Sequence, residues 1–263
     1  MREAVESKLP GQSLRERAGA SGASTQATAL VMRTRPLGEA DVLVSLLGQD
    51  GRRLELVARS GRASRRRFSG CLEPFSEVNI IAGRHGRAGL RTLEEASLIE
   101  GHLAVRQDLQ RLGQAAYAME LVECFALEEE ANPALWPIAT GALSALEKKA
   151  FGEPELAYLE LRVLQAAGLA PVLEGCLSCG RHQSPRWRID ASGQGFFCSG
   201  CSTEPAAGTV SAAALDFLRV LGRRRLPATG PACSEARRAL QFFLAQHAGR
   251  GFRALEFLRE IKR

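Results

Sequence analysis

Lysine is almost absent from this chain. Only Lys8, Lys148, Lys149 and Lys262 occur among its 35 basic residues, so arginine carries the positive charge. Aromatic residues make up only 6% of the 263 positions, which points to aliphatic packing. No apolar run approaches the roughly 20 residues of a membrane-spanning helix. The N-terminus has no apolar stretch followed by a small-residue cleavage site, so the expected location is the cytoplasm. Paired carboxylates, a phosphate loop and a nucleophile elbow are also missing, and His85 and His102 stand in no triad-like setting. The chain is therefore expected to be non-enzymatic.

What is present is an ordinary globular composition, 45% hydrophobic and 24% charged. The length suits two small domains or one large one. Arg and Lys outnumber Asp and Glu by 35 to 29, a net charge of +6. A GC-rich genome also raises arginine use, so the distribution of the charge matters more than its total.

Residues 1–27 are polar, rich in Ser, Gly, Ala and Arg, and have no apolar period. They are expected to form a disordered extension. From Thr28 to Glu100 the pattern is that of strands: Thr28–Thr34, Asp41–Gly48, Arg52–Ala58, Ser76–Ala82 and Leu90–Glu100. Asp50-Gly51 is a hairpin-turn signal between the second and third. The loop Gly83–Gly89 joins the last two. Five short strands in this length predict a small closed barrel of the OB type over 28–101.

After Gly101 the period becomes helical. Leu112, Ala115, Ala116, Met119, Val122 and Ala126 mark one buried helix face. Asn132-Pro133 predicts a helix start. Leu156–Ala167, apolar on two faces, predicts an interior helix ended by Gly168 and Pro171. Further helices are expected after Ser211 and Ser234. The fold class expected is α+β, an OB barrel followed by a helical domain over 102–263 with a metal module inserted at about 174–204.

Cys176-Leu-Ser-Cys179 and Cys198-Ser-Gly-Cys201 are two C-x-x-C pairs eighteen residues apart. That spacing is the four-cysteine pattern of zinc ribbons, in which a tight knuckle turns both sulfurs toward one ion. Gly180 and Gly200 are expected to supply positive φ at the knuckles. Four thiolates close the coordination shell, so one structural Zn2+ is predicted, and His182 is read as a surface residue rather than a ligand. Cys71, Cys124 and Cys233 are isolated and read as small buried hydrophobes.

Between Arg33 and Arg91 stand twelve arginines, no lysine and six acids. The densest part is Arg59-Ser-Gly-Arg62-Ala-Ser-Arg65-Arg66-Arg67-Phe68. Arginine forks hold phosphates bidentately, and a cluster of them on a barrel predicts nucleic-acid binding through Arg33, Arg35, Arg59, Arg62, Arg65, Arg66 and Arg67. Phe68 could stack on an unpaired base, although a core position is the simpler reading. Arg223-Arg224-Arg225 ends a helix and complements its dipole, and Arg237-Arg238 lies in another. Both groups could equally track DNA or hold an acidic peptide.

Arg33-Thr-Arg-Pro-Leu-Gly-Glu-Ala-Asp41 is followed in order by the arginine loop, Leu72-Glu-Pro-Phe75, and Tyr117 with Glu120-Leu121. Glu160-Leu-Arg-Val-Leu164, Gly168-Leu-Ala-Pro171 and the first cysteine knuckle complete the set. In these motifs the chain resembles the RecO family of bacterial recombination mediators over nearly all of residues 28–263. The resemblance implies an OB-fold domain, a helical domain with a zinc module, and action in the RecF pathway of DNA repair and recombination. Binding of single- and double-stranded DNA and annealing of complementary strands are implied. So are RecR, the acidic C-terminal tail of the single-stranded DNA-binding protein and, indirectly, RecA as partners. The family association also implies a place at the nucleoid. The long N-terminal segment departs from the family. Some members lack the cysteines, which makes the metal architectural. The competing classes are a zinc-ribbon RNA- or promoter-binding module and, more distantly, a metalloenzyme.

Overall fold

The computed structural model describes residues 24–261, with 69, 86–89 and 202–205 excepted. It divides into two units that meet in sequence at Gly101 and His102.

The first unit is a closed barrel of order β1-β2-β3-β5-β4. Its strands are β1 (Thr25–Leu37), β2 (Asp41–Gly48), β3 (Arg53–Ala58), β4 (Glu77–His85) and β5 (Arg91–Glu100), with a one-turn helix α1 (Arg65–Phe68) between β3 and β4. β1 is long because it serves two partners. Thr25–Leu30 pairs with β4, Ala29–Leu37 pairs with β2, and a register shift between Val31 and Arg33 bends the strand between them. The break at Asp50-Gly51 is a tight turn in which Gly51 takes φ +77° and Asp50 Oδ1 accepts Arg52 N–H at 3.1 Å. A short parallel pairing, Leu56–Ala58 with Arg91–Leu93, closes the barrel. The core is aliphatic, with Val31, Val44, Leu46, Ile80 and Leu93 pointing inward and Phe68 of α1 plugging it.

Several strand boundaries differ from the sequence reading, and β1 runs on to Leu37 rather than stopping at Thr34. Residues 25–27, assigned to the extension, are strand, because Thr25, Gln26 and Ala27 pair with Ala82, Ile81 and Ile80. Gly83–His85, assigned to a loop, continue β4, and His85 pairs with Arg91. Residues 1–23, the rest of the expected extension, lie outside the described residues.

The second unit begins with α2 (Leu103–Arg106) and α3 (Leu109–Phe125), continues through α4 (Leu135–Lys148) and α5 (Glu153–Ala166), and then forms the four-cysteine module. The module's sheet contains β6 (Arg186–Ile189), β7 (Phe196–Cys198) and β8 (Gly208–Ser211) in the order β7-β6-β8. The chain ends in α6 (Ala212–Gly222), α7 (Pro231–Ala248) and α8 (Arg253–Glu260). Asp108 caps α3 by accepting Arg111 N–H at 2.8 Å, and Ser211 caps α6 by accepting Ala214 N–H at 3.2 Å. Such caps contribute about 1 kcal/mol each. α5 is the interior helix, packed against α3, α4, α6 and α7, and Gly168 leaves it with φ +71°.

Asn132 does not start α4 as expected. The helix begins at Leu135, and the Asn132 side chain instead donates to the Ala166 carbonyl at 2.9 Å, tying the α3–α4 connection to the end of α5. α7 starts at Pro231, ahead of the expected Ser234, with Pro in the first turn where its missing N–H costs nothing.

The interior of this unit also holds charge. Glu160 on α5 is fully buried, and its Oε1 accepts from Tyr117 Oη at 2.9 Å and from Arg237 Nε at 3.0 Å. Arg237 Nη1 reaches the Glu153 carboxylate at 2.8 and 2.9 Å. Burial pushes the Glu160 carboxyl and the Tyr117 hydroxyl upward, and Arg237 opposes both shifts. A second carboxylate, Glu120, accepts from the N–H groups of Arg253 and Ala254 at 3.1 and 2.9 Å, fastening the start of α8 to α3.

Candidate nucleic-acid interface and metal centre

The arginine cluster lies where β3 leaves the barrel wall. The turn after Ala58 is fixed by contacts to the β1–β2 turn. Asp41 Oδ1 accepts Ser60 N–H at 2.8 Å, the Ala40 carbonyl accepts Arg62 N–H at 3.3 Å, and the Glu39 carbonyl accepts Arg62 Nη1 at 3.1 Å. Ser60 takes a left-handed φ of 52° there. Arg67 braces the other side: it donates to the Arg59 carbonyl and to Ser64 Oγ, and its guanidinium lies 4.9 Å from the Phe68 ring centroid.

The seven predicted arginines thus divide. Arg33, Arg35, Arg59, Arg62 and Arg66 are exposed, Arg67 is half-buried, and the side chain of Arg65 lies outside the described residues. Arg33 and Arg35 are opposite Ser45 and Leu43 in the β1–β2 register, on the face turned away from Val44 and Leu46 of the core. Phe68 is only 2% exposed and belongs to the barrel core, so it is no platform for a base. Arg91, one of the twelve arginines of the basic stretch, is committed to structure. It donates to Thr25 Oγ1 at 2.8 Å and to the Gly83 carbonyl at 3.1 Å, stitching β5 to β1 and β4. Part of the loop containing Arg87 lies outside the described residues.

The four cysteines converge. Their sulfurs all lie within 4.8 Å of one another, and Cys179 and Cys198 are 3.8 Å apart. A tetrahedral ion with metal–sulfur bonds of about 2.3 Å separates its ligands by about 3.8 Å, so the set fits one ion of that geometry. The first knuckle is held by Cys176 N–H to the Arg181 carbonyl and Gly180 N–H to the Cys176 carbonyl, both 2.9 Å. Leu177 N–H bonds the Phe196 carbonyl at 2.9 Å, which brings the two knuckles together. Burial raises the Cys176 thiol, but backbone N–H groups of Cys179, Cys198 and Ser178 outweigh it and bring it down to about 6.

Gly180 has the positive φ expected, at 69°, whereas Gly200 does not. The second knuckle turns with the Cys201 N–H bonded to the Cys198 carbonyl, a geometry that needs no left-handed residue. His182 is exposed and its Nδ1 is paired with the Glu174 carbonyl at 2.8 Å, outside the sulfur cluster. Cys71 and Cys233 are buried and Cys124 half-buried, and all seven cysteines are free.

Charge density in the sequence did not separate arginines that face solvent from those spent inside. Arg237, left open between DNA, partner and structure, is 7% exposed and held by two carboxylates. Arg219 is a comparable case that the sequence reading missed. Its guanidinium donates to the carbonyls of Leu173, Glu174 and His182 at 2.7 to 3.0 Å and lies 5.6 Å from the Trp187 ring centroid. It joins α6 to both sides of the first knuckle. Arg223, Arg224 and Arg225 are exposed.

Comparison with known proteins follows this division into two units. The family described as Recombination protein O N terminal matches residues 23–102, and Recombination protein O C terminal matches residues 106–256. The chain belongs to the RecO family. A DNA repair protein RecO of Anaeromyxobacter dehalogenans is 36% identical over 243 residues, covering 89% of this chain and 95% of that one. Those of Myxococcus xanthus and Bacillus pumilus are 32% and 26% identical, with the same 89% of this chain and 96% and 93% of theirs covered. RecO proteins are DNA repair proteins, and this chain carries the family's barrel and helical region together with the four-cysteine group. Among the described residues no helix is long and apolar enough to cross a membrane.

Proposed function

We propose that this chain is a recombination mediator that works by binding rather than by chemistry. It holds single- and double-stranded DNA, anneals complementary strands and, with RecR, helps RecA load onto strands coated with single-stranded DNA-binding protein. The observation that carries this reading is the exposed arginine set, Arg33, Arg35, Arg59, Arg62 and Arg66, on β1 and the loop braced against it.

Each guanidinium that engages a phosphate bidentately releases condensed counterions, so affinity falls steeply with salt. Two strands held on one basic surface repel each other less, which favours annealing with no bond made or broken. Arg67 acts as a brace: by occupying the Arg59 carbonyl it fixes the loop that presents Arg59, Arg62 and Arg66. Cys176, Cys179, Cys198 and Cys201 would hold one zinc ion, which supplies structural cross-linking and leaves no coordination position for catalysis. The exposed Arg223–Arg225 suit an acidic peptide such as the tail of the single-stranded DNA-binding protein.

The deciding experiment is annealing of complementary strands pre-coated with the cognate single-stranded DNA-binding protein, with and without its acidic tail. Annealing that depends on the tail supports the mediator reading. If coated strands stay apart while naked strands still bind, the basic surface stands and the mediator role fails.

A further inference from the structure

The small sheet of the metal module has two unlike faces. β6 lies at its centre, and the register pairs Trp187 with both Cys198 and Val210, and Ile189 with Phe196. All five are buried, and Phe196 meets Phe243 of α7 edge-on at 5.5 Å. Side chains alternate along a strand, so Arg186, Arg188, Phe197 and Thr209 stand on the opposite face. Arg188 is directly opposite Phe197 on one side and Thr209 on the other, which sets their Cβ atoms about 5 Å apart.

That outer face is built unlike a plain solvated surface. Phe197 is half-buried while its neighbour Phe196 is in the core, so an aromatic ring is retained on the outside of a sheet in a chain poor in aromatics. Arg186 is exposed and Arg188 is half-buried, and Ser211, opposite Arg186, donates its N–H and Oγ to the Glu235 carboxylate. The acid just past the strand, Asp190, is engaged within its own turn by Ser192 Oγ and by Gln194 N–H at 3.1 Å.

We propose that this face is a second contact for single-stranded DNA, with the Phe197 ring as a stacking platform and Arg186 and Arg188 as phosphate ligands. An aromatic platform flanked by guanidinium groups and hydroxyls is the arrangement that holds unpaired bases without reading their sequence. Duplex DNA offers no exposed base to such a ring, which selects the single strand. The knuckle contact from Leu177 N–H to the Phe196 carbonyl fixes β7 next to Phe197, so the metal-bound module presents the ring on a rigid strand. The inference rests on the DNA-binding reading above, but on residues separate from the barrel arginines.

The test is a salt titration of a labelled oligothymidylate against the full chain, its Arg186→Gln/Arg188→Gln variant and its Phe197→Leu variant, with metal content measured for each. The leucine keeps apolar bulk on the sheet and removes the ring. With metal retained, Phe197→Leu should weaken binding roughly tenfold. The double variant should lower the slope of log K against log salt by about 1.4. Unchanged affinity and slope in both, with the unaltered chain binding normally, overturn this inference and leave the barrel reading intact. If the unaltered chain binds no single-stranded DNA, the proposed function falls and this inference with it. A double variant that keeps its DNA slope but loses affinity for a labelled oligoglutamate overturns it in favour of an acidic protein partner.

Discussion

Both units divide their arginines between surface and structure, but the structural ones are spent on different partners. In the barrel, Arg33, Arg35, Arg59, Arg62 and Arg66 are exposed, while Arg67 and Arg91 brace the loop and the seam. In the helical unit, Arg219 and Arg237 turn inward, one onto three carbonyls and a tryptophan ring, the other onto two carboxylates. A guanidinium carries five N–H donors and keeps its charge. Where a fold surrounds it with acceptors it becomes a cross-link, and where it faces solvent its charge is presented outward. The difference lies in the surroundings and not in the residue.

The largest break in this comparison should come from the metal. Stripping it with a chelator, or changing Cys198→Ser, removes the cross-link of a module with a small core of its own. Near-ultraviolet circular dichroism and hydrogen exchange should show loss of structure around Trp187 and β6–β8, while the amides of the barrel strands remain protected. Barrel amides that lose protection together with the module would show that the two units are not separate in stability.

Arg237→Ala comes next. It leaves the Glu160 and Glu153 carboxylates without their cation, one of them fully buried, and should cost about 3–5 kcal/mol in denaturant melts of the helical unit. A cost under about 1 kcal/mol would mean that water enters and satisfies Glu160.

Tyr117→Phe should cost about 1 kcal/mol at neutral pH through the lost bond to Glu160. It also has a pH signature. Burial, then the charge of Glu160, raise the Tyr117 hydroxyl well above its ordinary value near 10. A group raised on folding contributes stability that is fully present below its unfolded value and is lost as pH rises through the folded one. The parent should therefore lose stability above about pH 10, and the Phe variant should lose less. Parallel stability curves for the two proteins in that range would remove Tyr117 as the cause.

The smallest effect on stability should come from the barrel surface. Arg35→Ala with Arg66→Ala should change the melt by no more than about 0.5 kcal/mol, yet lower the salt slope of single-strand binding by about 1.4. Arg67→Ala inverts that pattern: it should loosen the loop, seen as faster exchange at residues 59–64, with a less direct effect on the slope. If Arg67→Ala and Arg35→Ala prove indistinguishable in both measurements, the division into braces and ligands fails.

Much of the architecture was legible because periodicity and turn chemistry are local. Asp50-Gly51 marked its hairpin, Gly168 its helix end, and the two C-x-x-C pairs the convergence of their four sulfurs before any coordinates. The errors were local signals overridden by distant partners. Asn132 is a good cap by type, but the Ala166 carbonyl at the far end of α5 takes its amide. Thr25–Ala27 look like linker until Ile80–Ala82 supply a strand to pair with. Phe68, by contrast, is flanked by arginines in sequence yet takes the core position expected of it.

By itself, then, the sequence determined the order of barrel and helices, the two cysteine knuckles and the region of high positive charge, since each depends on residue type and spacing along the chain. Which guanidinium faces solvent, which carboxylate is buried with Arg237, and that Arg186, Arg188 and Phe197 share one face of a sheet were decided only by the tertiary structure. Those facts depend on partners up to 84 residues away, from Glu153 to Arg237, and on strand register. No local propensity encodes either.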